Sequence, residues 1–436
     1  MNERNPALAA AGSRSPALAA AVALAALIAA VAGLAGGVEP FATAFYTFAW
    51  FPTLLLADAV VARREGTWFL LGRPAFTATL FAWSAVFWLL FEVVNLRLAN
   101  WFYVFVPDAR AVRWTGTVVA FATVLPAILM SERLLDSFGV ARATRSKPFV
   151  VTERFRAVLQ GAGILSFALV LLWPRLFFPL AWGGVWLLAD PFVHRRDPAR
   201  SLLGDLERGR PGRTLRLLLG GLAIGLVWEV FNARARGKWI YTVPGFEEGK
   251  LFEMPVLGFL GFPFLALEGF AAWQALVVTG LAIPREGEVR PAPRLARAAA
   301  GVLAAVFSAL AILAMERGTV ASTTPRLADL PGAPAVAAHA DWDVFSLARA
   351  RPADVARVSG VSQADAVRWV DSARLASLRG LGTANAARLR GVGIASVADL
   401  EAADPAILAR RLSQAGTPIR AARLRVWVRA AREEGS

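Results

Sequence analysis

Nine stretches of the chain are long and apolar enough to cross a bilayer, and that property decides most of what it can fold into. A spanning helix needs about 20 mostly apolar residues. Residues 17–38, 41–61, 75–95, 114–135, 157–173, 176–192, 214–232, 255–280 and 295–315 are each of this kind. In hydrocarbon every backbone N–H and C=O must find a partner inside the protein, so helices are the expected form throughout. The composition agrees: 57% of the 436 residues are hydrophobic, 18% are charged and 15 are Trp, which excludes a disordered chain. The fold class expected is all-α, a polytopic membrane bundle with a smaller soluble domain. Ala17–Val38 has the basic flank of a signal peptide, but its place in the duplication described below makes it the first span.

With no Cys and only two His, His194 and His339, disulfides, thiol nucleophiles and Cys/His zinc clusters are excluded. No metal-ligand set is legible and no cofactor is expected. Both histidines read as solvated loop or linker residues. Chemistry is left to carboxylates, Arg, Asn and Tyr. Trp50, Trp114, Trp173 and Trp182 lie near span ends, where indoles commonly anchor at the headgroup level.

Orientation follows from Lys and Arg near the ends of the spans. Segments on the side of the N-terminus carry twenty and those on the other side ten. The N-terminus is therefore expected in the cytoplasm of a multi-pass inner-membrane protein, and an odd number of spans puts the C-terminal domain outside.

The apolar region is written twice. AWFPTLLLAD (Ala49–Asp58) recurs as AWGGVWLLAD (Ala181–Asp190). FEVVNLRLANWFYVFVP (Phe91–Pro107) is answered by WEVFNARARGKWIYTVP (Trp228–Pro244), sharing Glu, Asn, Arg, a Trp-x-Tyr pair and Pro. VLPAILMSE (Val124–Glu132) matches GFPFLALE (Gly261–Glu268). Equivalent points are four helices apart, so the copies run parallel, related by an axis along the membrane normal. The expected organisation is a tail at 1–15, one four-helix copy at 16–140, a second at 154–283, a ninth helix at 294–315, a flexible linker at 316–340 and a module at 341–436. Pro126 and Pro263 are expected to kink their helices beside a cavity.

Acids within spans are costly and by default face the bundle interior or a pathway. Glu92, Asn95, Arg97, Trp101 and Tyr103 in one copy, and Glu229, Asn232, Arg234, Trp239 and Tyr241 in the other, are read as lining a polar pocket, with Glu132 and Glu268 below them. Arg97 and Arg234 are expected to fold back over the carboxylates. Interhelical bonding between these residues is the competing structural role. The reading is a membrane protein that binds or transports a small molecule or lipid. Lys238–Phe262 resembles the Trp-x-Tyr and acid-Pro stretches of integral-membrane carotenoid cyclases and hydratases, although Glu253 here precedes Pro255. That resemblance implies the alternative of a membrane enzyme acting on a lipid or isoprenoid, placed at Glu92, Glu229 and Glu268 without a catalytic role assigned to any of them.

After Met315 the composition changes. Residues 341–436 carry fifteen Arg against ten acids and no span. LASLRGLGTANAARLRGVGIASVADLEAADPAILARRL (Leu375–Leu412) resembles a helix-hairpin-helix domain of a type found in bacterial proteins of unknown function. The resemblance implies that Gly380, Leu381, Gly382 and Thr383 turn their backbone toward a partner, with Arg379, Arg388 and Arg390 adding charge. The expected partners, besides the bilayer, are a protein or duplex DNA bound without sequence reading. The DNA case makes the chain a membrane-tethered DNA-binding protein.

Overall fold

The computed structural model describes residues 15–246, 248–332 and 342–435. His339, nearly all of the N-terminal tail and part of the expected linker lie outside the described residues. Among the described residues nine helices are long and apolar enough to cross a membrane. They are Pro16–Ala35, Phe45–Glu65, Pro74–Leu98, Arg110–Ser137, Glu153–Leu172, Pro174–Arg196, Gly212–Arg234, Val256–Val278 and Arg294–Gly318, spans one to nine below. They match the nine apolar stretches in order, as expected for a multi-pass membrane protein.

The described residues fall into two compact units. The first holds the spans apart from the first four residues of span four and the last of span nine, over the residues up to Ala99, Trp114–Ala235 and Pro244–Arg317; the second gathers Asn100–Arg113, Arg236–Val243 and the described residues from Gly318 onward.

Within the first unit, span seven carries Gly220, Gly221 and Gly225, and these let its neighbours approach closely. A Cβ on Gly220 would meet Ser131 Oγ at 2.5 Å, one on Gly221 would meet Phe262 O at 2.6 Å, and one on Gly225 would overlap the Phe262 ring. Spans four and eight are interrupted, and each resumes just before its proline. Helix Arg110–Phe121 stops and helix Val124–Ser137 begins, with Pro126 third in it. In span eight a 3-10 turn, Val256–Leu260, precedes helix Gly261–Val278, with Pro263 third. Proline is tolerated in a first turn because its missing N–H would have no intrahelical partner there. The backbone freed at the first break is taken up by Ser84, whose hydroxyl donates to Phe121 O at 2.7 Å and accepts from Leu125 N at 3.0 Å. The departure from a straight helix thus lies just before each Pro.

Asp58 and Asp190 hold the chain after their spans in the same way. Asp58 accepts from the amides of Phe69, Leu70 and Leu71 at 2.7–3.2 Å, and Asp190 from those of Leu202 and Leu203 at 2.8 and 2.9 Å. Two of the expected headgroup anchors are placed differently. Trp50 is only 2% exposed and Trp182 stacks on Phe91, while Trp173 is 56% exposed. His194 is not a solvated loop residue. It is 4% exposed, with Nδ1 3.0 Å from Arg156 Nη1 and Nε2 3.0 Å from Glu207 Oε2. That contact holds the Glu207 carboxyl below the usual carboxylate range.

The second unit is built on strand β1 (Trp101–Val104), strand β2 (Lys238–Tyr241) and a helical domain. Its helices run Val344–Arg349, Pro352–Ser359, Gln363–Ser377, Gly382–Arg390, Val397–Glu401, Pro405–Gln414 and Ala421–Gly435. Their core buries Trp369, Val370, Leu381, Leu389, Leu412 and Trp427. Residues 319–324, expected as linker, are extended instead: Tyr103 N donates to Thr319 O, Ala321 N to Tyr103 O and Val106 N to Ser322 O at 2.8–3.2 Å.

Candidate functional site

In the first unit, the helical step places Glu92 with Asn95, and Glu229 with Asn232, one turn apart on single faces. All four side chains are 0% exposed. Glu92 Oε1 accepts from Trp88 Nε1 at 3.0 Å. Tyr46 hydrogen-bonds with Thr123 and lies within electrostatic reach of Glu229.

An aromatic wall surrounds this level of the bundle. Ring centroids of Trp88 and Trp228 are 5.3 Å apart, those of Trp50 and Trp228 6.1 Å, and Tyr46 stacks on Trp50 at 5.8 Å. Phe91 stacks on Trp182 at 5.5 Å. Tyr46, Trp50, Trp88, Trp182 and Trp228 were not among the expected pocket residues. The signal available was position: Trp88 lies one helical turn before Glu92, and Trp228 directly precedes Glu229.

Glu268 is also 0% exposed. Its Oε1 accepts from Gly183 N at 2.7 Å and Val185 N at 3.0 Å, while Oε2 has no hydrogen-bond partner among the described residues. Those amides open helix Gly184–Arg196, after Gly183 at φ +130° has broken span six. A carboxylate is favourable at such a helix start, where free N–H groups and the helix dipole converge.

Glu132 has other surroundings. It pairs with Arg216 at 2.7 Å, and both side chains are nearly buried. The two arginines expected over Glu92 and Glu229 do other things. Arg97 donates to Leu171 O at 3.0 Å, capping the end of span five, where a cation suits the helix dipole. Arg234 is exposed.

Trp101, Tyr103, Trp239 and Tyr241 belong to the second unit. β1 and β2 pair antiparallel, with Trp101 opposite Tyr241, Phe102 opposite Ile240 and Tyr103 opposite Trp239. The two Trp-x-Tyr motifs are thus paired with each other about Phe102 and Ile240. Trp239 Nε1 also donates to Tyr241 Oη at 2.8 Å.

The glycine turn of the helical domain packs on this strand assembly. Gly380 and Gly382 have φ +78° and +79°, a region that favours glycine. A Cβ on Gly380 would overlap the Val104 side chain, and one on Gly382 would lie 2.6 Å from Ser322 Cβ. Ser322 Oγ donates to Gly380 O at 2.6 Å and accepts from Phe105 N at 3.1 Å. Asn385 Nδ2 donates to Ala321 O at 2.9 Å. The close approach these glycines permit is therefore made to the chain's own extended segment.

Leu381 is core, Thr383 is half-buried, and Arg379 adopts φ +39° between Leu378 and Gly380. Arg388 is exposed and reaches Asn385 Oδ1 at 3.4 Å; Arg390 is half-buried, which lowers its pKa. Arg423 was missed by sequence reasoning. It donates to Gly318 O at 2.7 Å and lies 5.2 Å over the Phe102 ring. Burial, with Arg420 and Arg388 nearby, pushes its guanidinium down to about 10.

A family model described as a domain of unknown function (DUF4332) matches residues 343–433, the helical part of the second unit. No curated protein and no solved structure matches the chain.

Proposed function

We propose that this protein binds, and passes across the membrane, a small molecule or lipid carrying a positively charged amine, in a core shared by two parallel four-helix copies. The observation that carries this reading is the set of fully buried carboxylates, Glu92 and Glu229, at the level of Tyr46, Trp50, Trp88 and Trp228. Carboxylates supply charge, and indole faces attract cations through their quadrupole, the combination that suits a quaternary ammonium. The matched uses of Asp58 and Asp190, and of Pro126 and Pro263, support descent of the copies from one ancestor.

The C-terminal module acts in this reading as a protein-docking clasp, of the hairpin type suggested by its glycines, and it grips an extended segment of polypeptide. Duplex DNA is the weaker partner, because Ser322 and Val104 lie against the turn that would meet phosphate. Alternate spans exit on one face. β1, β2 and the module follow spans three, seven and nine, which agrees with their joining on the side opposite the basic loops, outside a bacterial cytoplasmic membrane.

The test is tryptophan fluorescence of the detergent-solubilised protein, titrated with dodecyltrimethylammonium, dodecyl sulfate and a neutral dodecyl glycoside. Saturable quenching by the ammonium compound alone is expected, weakened at least tenfold in Glu92→Gln/Glu229→Gln. Equal responses to all three probes, or an unchanged affinity in that variant, would overturn the proposal.

A further inference from the structure

Spans two and four both end on the side of the basic loops, and an open recess of about 460 Å³ lies between those ends, lined by Val60, Arg63, Arg64 and Phe138. Arg64 is fixed there: its Nε donates to Ser137 O at 3.1 Å, and its guanidinium carbon stands 3.9 Å from the Phe138 ring centroid. The acids nearby are already engaged, Glu65 with Arg133 at 2.8 Å and Asp136 with Arg142 at 3.0 Å. Among the described residues neither Arg63 nor Arg64 forms an ion pair. Two guanidinium groups without a carboxylate partner therefore line the recess together with Val60 and Phe138, the latter 54% exposed.

We infer that this recess holds the phosphate-bearing headgroup of an anionic phospholipid. The guanidinium fork matches phosphate oxygens in two directions, and a basic recess at the cytoplasmic end of neighbouring spans is electrostatically suited to anionic lipid. Val60 and the part of the Phe138 ring that Arg64 leaves uncovered give the first carbons of the lipid an apolar surface, which a free phosphate could not use. The site is independent of the amine-binding core: it lies at a span end and takes the opposite charge.

The experiment measures binding to the full-length protein in neutral detergent by native mass spectrometry and by the shift in melting temperature. The probes are short-chain phosphatidylglycerol, short-chain phosphatidylcholine and inorganic phosphate. Phosphatidylglycerol is expected to bind saturably and at least tenfold more tightly than phosphatidylcholine, and Arg63→Gln/Arg64→Gln is expected to lose that preference. Arg63→Gln alone, which leaves the Arg64 contacts with Ser137 and Phe138 intact, is expected to weaken binding severalfold without lowering the melting temperature of the lipid-free protein. Arg357→Gln, an exposed arginine of the C-terminal domain, is expected to behave as the unaltered protein. Undiminished phosphatidylglycerol binding by the double variant, or equal loss in Arg357→Gln, would overturn the site. Inorganic phosphate competing as effectively as the lipid would overturn the lipid assignment in favour of a soluble phosphate ester.

Discussion

Replacing Gly380 and Gly382 together by alanine is expected to detach the helical domain from the strand assembly it packs on. Each new Cβ enters occupied space, at Val104 in one case and at Ser322 in the other. Overpacking a well-filled site costs about 1–3 kcal/mol, and forcing a left-handed conformation on a residue other than glycine adds about 1–2 kcal/mol. The pair together comes to about 4 kcal/mol or more, a large fraction of the ~5–15 kcal/mol that holds a whole domain folded. Limited proteolysis of the full-length protein in detergent reads the result. Cleavage near residues 318–332 should become rapid, while the membrane-embedded fragment stays intact. Cleavage at the unaltered rate would show that the glycines are not needed for close approach.

The second large effect is expected at Glu268, where leucine and glutamine should separate cleanly. Leucine leaves the amides of Gly183 and Val185 without an acceptor in a water-poor interior, and each unsatisfied buried group costs about 1–3 kcal/mol. Glutamine keeps a carbonyl oxygen for them, but it loses the charge and puts an NH2 where Oε2 stood without a partner. Thermal unfolding in detergent should therefore place Glu268→Leu below Glu268→Gln, and Glu268→Gln below the unaltered protein. Equal melting temperatures for the two variants would mean that the carboxylate does not hold the start of helix Gly184–Arg196.

The spans were legible because hydrophobic length is a local property, read without knowing any partner. The breaks in spans four and eight were half-legible. Proline announced them, but the interruption lies just before each Pro, where Ser84 supplies the replacement hydrogen bonds in span four. The break in span six was written as Gly183-Gly184, where the matching stretch has Phe51-Pro52. Recognising it would have predicted free amides in need of an acceptor.

The pairing of β1 with β2 was not legible, since four-residue strands far apart in the chain carry no local signal of each other. Residues 319–324, Thr-Val-Ala-Ser-Thr-Thr, did carry one: a mostly β-branched run reads as strand rather than linker, and the prolines after it masked that. Arg97 was misassigned because spacing along a helix shows which acid is near but not which helix end is closer. His194 was misassigned because its partners, Arg156 and Glu207, come from separate segments.

Segments following the third and ninth spans join in one unit with the C-terminal domain. The absence of cysteine allows a direct test. Tyr103 and Val320 are bridged in parallel, a spacing that a disulfide can close. Tyr103→Cys/Val320→Cys, oxidised in intact membranes with a membrane-impermeant reagent and mapped by mass spectrometry of the peptides, should form the cross-link efficiently. Pairing either cysteine with one at Arg145, in a loop on the basic side, should form none. A chain that cross-links 103 to 145 as readily as 103 to 320, or fails to link 103 to 320 at all, would contradict the account.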